Sequence, residues 1–104
     1  MPEALTAVFA ALGDDTRWSI LEALGEGDAS ASALAGRLPV TRQAIAKHLA
    51  VLQEVGLVEP VRVGREVRFR VVGAQLEATA RRLDAIGVQW DRRLAAIKQI
   101  AESL

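Results

Sequence analysis

Residues 34–70 read LAGRLPVTRQAIAKHLAVLQEVGLVEPVRVGREVRFR, and this stretch constrains the fold more than any other. A short apolar-patterned segment meets a Pro-Val turn. A second helical segment follows, polar at its start, and then Val-rich strands studded with Arg. That order describes a helix-turn-helix followed by a β-wing. The layout presents one helix and one hairpin tip on the same side, which is what reading duplex DNA requires.

Periodicity and punctuation extend this frame in both directions. Leu5, Val8, Phe9 and Leu12 follow the i, i+3, i+4, i+7 spacing of an amphipathic helix, which Gly13 ends. Asp14 is the expected N-cap of a second helix over about 15–24, with Ile20, Leu21 and Leu24 inward and Gly25 and Gly27 ending it. Ser30 or Ser32 caps a short third helix running to about Leu38, and Pro39-Val40 makes the turn. Thr41 caps a fourth helix over about 42–54 whose inner face is Ile45, Leu49, Leu52 and Val55. Gly56 ends it. Residues 57–63 and 66–72 read as two strands joined by Gly64-Arg65. Val67, Phe69 and Val71 share one strand face, and Arg68 and Arg70 the other. Pro60 cannot donate to a ladder, so its strand should lie at an edge.

The segment 74–104 reads as one long helix. Leu76, Ala80, Leu83, Gly87, Trp90, Leu94, Ile97, Ala101 and Leu104 alternate spacings of four and three without a break. This seam is too long for a small domain to cover, so we expect the near half on the chain's own core and the rest against a second copy. The expected fold is mainly α with a small β-hairpin (α+β), in the order α-α-α-α-β-β-α. It forms a single domain, 1–104: a first helix at 1–13, a helix-turn-helix at 30–54, a wing at 57–72 and a dimerisation helix at 74–104.

Composition removes several classes of function. The chain of 104 residues has no Cys, so disulfide scaffolds, thiolate metal sites and Cys nucleophiles are excluded. The N-terminus lacks a basic n-region and no apolar run approaches a membrane span, so a cytoplasmic location and no membrane partner are expected. Net charge is zero, which argues weakly against nucleic acid. The distribution reverses that argument. Residues 1–36 sum to −5, residues 37–70 to +4 and residues 71–104 to +1. The basic surplus sits on the helix-turn-helix and wing, and local field governs docking more than net charge does.

Within that island, the first turns of the fourth helix carry Thr41, Arg42, Gln43 and Lys47. Arg can bond guanine bidentately and Gln can do so with adenine, while Lys47 and the Thr41 hydroxyl suit phosphate. Arg65 at the wing tip, with Arg62 and Arg68 on the outer strand faces, could reach the flanking backbone or minor groove. His48 is the only histidine, and it has neither ligand partners nor a nucleophile beside it. Packing or a phosphate contact is its favoured role. Trp90 reads first as an apolar anchor on the seam, and secondarily, with Trp18, as a wall of an inducer pocket. No assembled catalytic site is visible, so an enzyme is not expected.

The run ALGDDTRWSILEAL, then LAGRLPVTRQAIAKHLAVLQEVGLV, then GREVRFRV resembles the ArsR/SmtB family of bacterial winged-helix repressors. The resemblance covers about residues 5–72, and the long terminal helix fits the family's dimerisation helix. It implies a homodimer that binds an inverted repeat in double-stranded DNA and blocks transcription. It also implies that Thr41, Arg42, Gln43, Lys47, His48 and the wing residues face DNA. Across the dimer we expect Leu5 and Phe9 of the first helix and Leu83, Trp90, Leu94 and Ile97 of the last. Metal-sensing members often carry a Cys-x-Cys pair where Ser30 and Ser32 stand here. With one His and no Cys, four N/S ligands cannot be assembled, so no metal and no cofactor are expected. The ending WDRRLAAIK is similar to a subgroup without metal ligands, which leaves a small-molecule inducer of unspecified chemistry as the open partner. The alternative reading is a winged-helix protein-interaction module, which the zero net charge would suit.

Overall fold

The computed structural model describes the backbone of residues 2–103 and the side chains of residues 6–103. The expected interface residue Leu5 and the last seam residue Leu104 therefore lie outside the described side chains. The chain runs α1 (Pro2–Leu12), α2 (Asp15–Glu26), β1 (Ala29–Ser30), α3 (Ala31–Arg37), α4 (Arg42–Glu54), β2 (Val58–Val63), β3 (Glu66–Val71) and α5 (Gly73–Ser103). The three strands form an antiparallel sheet in the order β1-β3-β2. Pro60 thus sits on an edge strand, as its missing N–H requires.

Two details depart from the sequence reading. The additional strand β1 pairs Ala29 with Phe69 and Ser30 with Arg68, stitching the α2–α3 connection to the wing. Two residues carry no alternation, so period-two patterning cannot reveal such a strand. Gly25 does not end α2 but lies inside it, and Gly27 is the C-cap, donating its N–H to Leu24 O at 3.2 Å.

Side-chain oxygens start the helices as expected. Asp14 Oδ1 accepts from Arg17 N at 3.0 Å, Ser30 Oγ from Ala33 N at 3.1 Å and Thr41 Oγ1 from Ala44 N at 3.2 Å. Each satisfies one of the backbone donors that a helix start leaves without a partner. The core unites Val8 and Ala11 of α1, Ile20 and Leu24 of α2, Leu34 of α3 and Ile45, Leu49 and Leu52 of α4, with Leu57 and Val58 closing it.

The end of α4 is a Schellman motif. Gly56, at φ 80°, donates to Gln53 O at 3.0 Å, and Leu57 N–H reaches back to Leu52 O at 3.0 Å. Leu52 and Leu57 are both fully buried, which supplies the apolar contact that accompanies this motif. Leu57 O then accepts from Val72 N at 2.9 Å, so the corner that stops α4 also seats the root of α5.

Beyond that root α5 leaves the domain. Its 31 residues span about 46 Å at 1.5 Å per residue. The radius of gyration is 18.0 Å, against roughly 13 Å for a compact chain of this length. Thr79 is the one buried residue of α5 among those described. The expectation that the near half of the seam packs on the chain's own core is therefore wrong. Leu76, Ala80 and Leu83 are exposed, as are Trp90, Leu94 and Ile97. The physical reason is geometric: among the described residues α5 is anchored only at its first turns, through Val72 and Thr79, so its seam meets solvent along its length.

Gly56 and Gly25 should respond oppositely to Ala. Gly56→Ala puts a Cβ on a left-handed residue, which costs about 1–2 kcal/mol. Gly25→Ala meets open space within a helix and should stabilise by about 0.5–1 kcal/mol. Urea denaturation of both variants at one protein concentration checks the pair.

Candidate nucleic-acid interface

Helix α4 is built to be read from outside. Ile45, Leu49 and Leu52 pin one face to the core, which leaves Arg42, Gln43, Ala46, Lys47 and Ala50 exposed on the other. Polar donors lie at its first turns, and the two alanines between and beyond them keep that face slim enough for a groove. Thr41, spent as an acceptor on the cap, keeps its hydroxyl hydrogen for an outside acceptor.

The hairpin tip is set by Gly64, at φ 63°, followed by Arg65 with negative φ. A glycine at the first central position matches a type II′ turn. The two-residue turn pairs Val63 with Glu66, Arg62 with Val67 and Val61 with Arg68. Directly opposed residues of an antiparallel pair share a face. Arg62 therefore lies on the face of Val67 and Phe69, and Arg68 on the other. The expectation that Arg62 and Arg68 occupy one outer face is corrected by this register.

Ion pairs sort the seven cations of the basic island. Arg37 is bound to Glu26 at 2.8 Å, Arg68 to Glu66 at 2.6 Å and Arg70 to Glu59 at 2.7 Å. Among the described residues, Arg42, Lys47, Arg62 and Arg65 have no such partner. The paired three are all substantially exposed, and surface pairs of this kind are worth about 0–1 kcal/mol. Arg68 can therefore be exchanged onto another anion, but in this structure it is bound to Glu66.

His48 sits differently from the rest. Its ring is largely covered, with Nδ1 3.3 Å from Arg17 Nη1 and 4.0 Å from Asp14 Oδ1. The structure thus places it on the flank of α4 that faces α2, away from the Gln43–Lys47 face. Arg17 is the functional residue that sequence reasoning passed over. Its Nε donates to Ala11 O at 2.7 Å and its Nη2 to Ala10 O at 3.2 Å, capping the open carbonyls of α1. One signal could have found it. A cation in the first turn of a helix opposes the macrodipole, so the only basic residue of an acidic segment needs a reason to stand there. Beneath it, the Asp14 carboxyl is held below its ordinary range, chiefly by the Arg17 backbone N–H and then by the nearby Arg17 and His48 charges.

Trp18 and Trp90 are both exposed, on α2 and on the far half of α5. Arg93 stacks over the Trp90 ring with its guanidinium carbon 5.5 Å from the centroid.

A helix with an outward polar start, a wing beside it and four cations held back from internal pairing together define a winged helix-turn-helix DNA-binding domain. The comparisons agree. A helix-turn-helix domain profile matches residues 12–61. The HTH-type transcriptional regulator Rv2034 of Mycobacterium tuberculosis is 34% identical over 93 residues, covering 89% of this chain and 84% of that one. A solved ArsR-like transcriptional regulator from Rhodococcus sp. RHA1 is 67% identical and superposes with a TM-score of 0.83, covering 98% and 96% of the two chains. The winged helix-turn-helix domain of Mb0332 from Mycobacterium bovis, 28% identical with a TM-score of 0.67 over 88% of this chain and 82% of that one, is described as homodimeric. The chain belongs to the ArsR family of winged helix-turn-helix transcriptional regulators.

Removing the Arg17 side chain should loosen α1 and α4 together. Arg17→Ala is expected to cost about 1–3 kcal/mol, since it removes two charge-assisted hydrogen bonds, of which the one to Ala11 O is partly buried. Arg17→Lys should recover only part, because an ammonium cannot reproduce the planar fork. Urea denaturation, with hydrogen exchange at α1 and at Leu49, checks both.

Proposed function

We propose that this protein is a homodimeric, sequence-specific DNA-binding regulator that represses transcription from a palindromic operator. The observation that carries the reading is the set of unpartnered cations on α4 and the wing tip, Arg42, Lys47, Arg62 and Arg65. Arg42 and Gln43 read base edges, Lys47 and the Thr41 hydroxyl hold phosphate, and Arg62 and Arg65 reach the flanking backbone. Arg68 joins them by leaving Glu66. His48 contributes by fixing α4 against α2. The uncovered seam of α5, together with the homodimeric M. bovis relative, supports a dimer through Leu83, Trp90, Leu94 and Ile97, with Phe9 of α1 beside them. In that dimer two recognition helices address half-sites about one helical turn (~34 Å) apart. The protein acts in the cytoplasm and needs neither catalysis nor a cofactor. No helix among the described residues is long and apolar enough to cross a membrane.

Fluorescence anisotropy against the chain's own upstream region tests the reading. Lys47, Arg62, Arg65 and Arg68 on phosphate, four cations per subunit and eight per dimer, give a slope of log K against log salt of about −7. Sequence-indifferent retention with a flat salt dependence would instead favour a protein-docking module. Arg42→Ala should cost about 1–3 kcal/mol and relax selectivity at one position, whereas Lys47→Ala should weaken all sequences alike.

The dimer has its own test. Leu94→Asp places a charge on the seam and should give a folded monomer by sedimentation, with α4 and wing amide resonances retained. A persistent dimer would place the interface elsewhere.

A further inference from the structure

Between the first turn of α3, the start of α4 and the wing lies an open cleft of about 440 Å³. Ala31, Ser32, Val67 and Phe69 form its floor and one wall, and Arg42 and Arg65 stand at its rim. Glu66 also lines it, but its carboxylate lies on the β3 face of Arg68, which binds it at 2.6 Å. The two rim guanidiniums have no internal partner among the described residues, while Val67 is 40% exposed.

We propose that this cleft binds an amphiphilic organic anion, a carboxylate on an apolar body, and that its occupation displaces DNA. The chemistry follows from the pairing of features. Guanidinium groups recognise carboxylate through paired N–H donors. A phosphate backbone needs only those cations and gains nothing from the exposed Val67 side chain and the Phe69 ring. An apolar body covers that floor and removes it from water. The cleft is also within the size range of small-molecule sites. Displacement follows because Arg42 and Arg65 are the same side chains that the proposed DNA reading uses, and a carboxylate held by them repels an incoming DNA phosphate. The inference rests on that reading for its consequence, but not for the binding itself.

The test uses the full-length, ¹⁵N-labelled protein and octanoate as the probe, with inorganic phosphate and octanol as controls. Octanoate should shift the amide resonances of Ser32, Arg42, Arg65 and Val67 saturably. Arg65→Ala removes a cation, and Val67→Asp sets a like charge on the floor at an already exposed position. Each should weaken octanoate by about fivefold or more, roughly 1 kcal/mol. Retained spectral dispersion shows that the variants fold. Octanoate should raise the apparent Kd for DNA in step with its own occupancy, and this effect should fade in Val67→Asp. Phosphate or octanol binding the same residues as tightly would overturn the proposal, as would octanoate shifts confined to the α5 seam. If octanoate saturates the cleft and no DNA binds, the cleft stands and the regulator reading falls. If DNA binds and octanoate is silent, the reverse holds.

Discussion

The junction at Arg17 is the interaction on which the geometry of this domain depends. One side chain joins three helices: two carbonyls at the end of α1, its own helix α2 and the His48 ring of α4. Asp14 completes the arrangement by capping α2 through the Arg17 backbone N–H. The core beneath is apolar, and its contacts carry no directional bond. Hydrogen bonds from a fixed fork are directional. Arg17 therefore supplies the register that Ile20, Leu34, Ile45 and Leu49 cannot supply by burial alone.

That junction has a pH consequence whose sign is fixed. The Asp14 carboxyl is depressed in the folded chain, mainly by the backbone donor and then by Arg17 and His48. A depressed carboxyl contributes stability that is present above its unfolded value, near 3.9, and is lost as pH falls through the lower folded value. The cap is thus intact throughout the neutral range in which a DNA reader works, and acid loosens the α1–α2 corner from its polar side.

Much of the fold was legible in the sequence because it is written in strong local signals. The caps at Asp14, Ser30 and Thr41, the Gly56 stop and the Gly64-Arg65 tip are all stereochemical necessities of the elements they bound. The face of α4 was legible for the same reason: Ile45, Leu49 and Leu52 leave only one side for Arg42, Gln43 and Lys47. What escaped depends on partners distant in sequence. The strand β1 exists only because Phe69 and Arg68 lie beside Ala29 and Ser30. The separation of Arg62 from Arg68 follows from cross-strand register, which the parity of the turn sets. The commitment of Arg68 and Arg70 to Glu66 and Glu59 is likewise a tertiary fact. Charge counting found the basic island, but only coordinates could divide it into cations already balanced and cations held in reserve.

The relation between reading and assembly runs through Leu57. Its N–H closes the end of α4 on Leu52, and its carbonyl holds Val72 at the root of α5, where Gln75 and Leu76 both donate to Val72 O at 3.1 Å. The end of α4 and the start of α5 are therefore joined at one hydrogen-bonded corner, although the wing separates them in sequence. Most helical stability in proteins comes from packing an amphipathic face. Among the described residues, no side chain in the far half of α5 is buried. In the proposed dimer, the partner that covers Leu94 and Ile97 would thus also order the lever that sets the distance between the two α4 helices. Subunit pairing would, in that proposed dimer, set the half-site spacing. Helix α4 is tied to α5 through Leu57 and to α1 through Arg17, so the helix proposed to read DNA and the helix proposed to pair the subunits are held by the same set of hydrogen bonds.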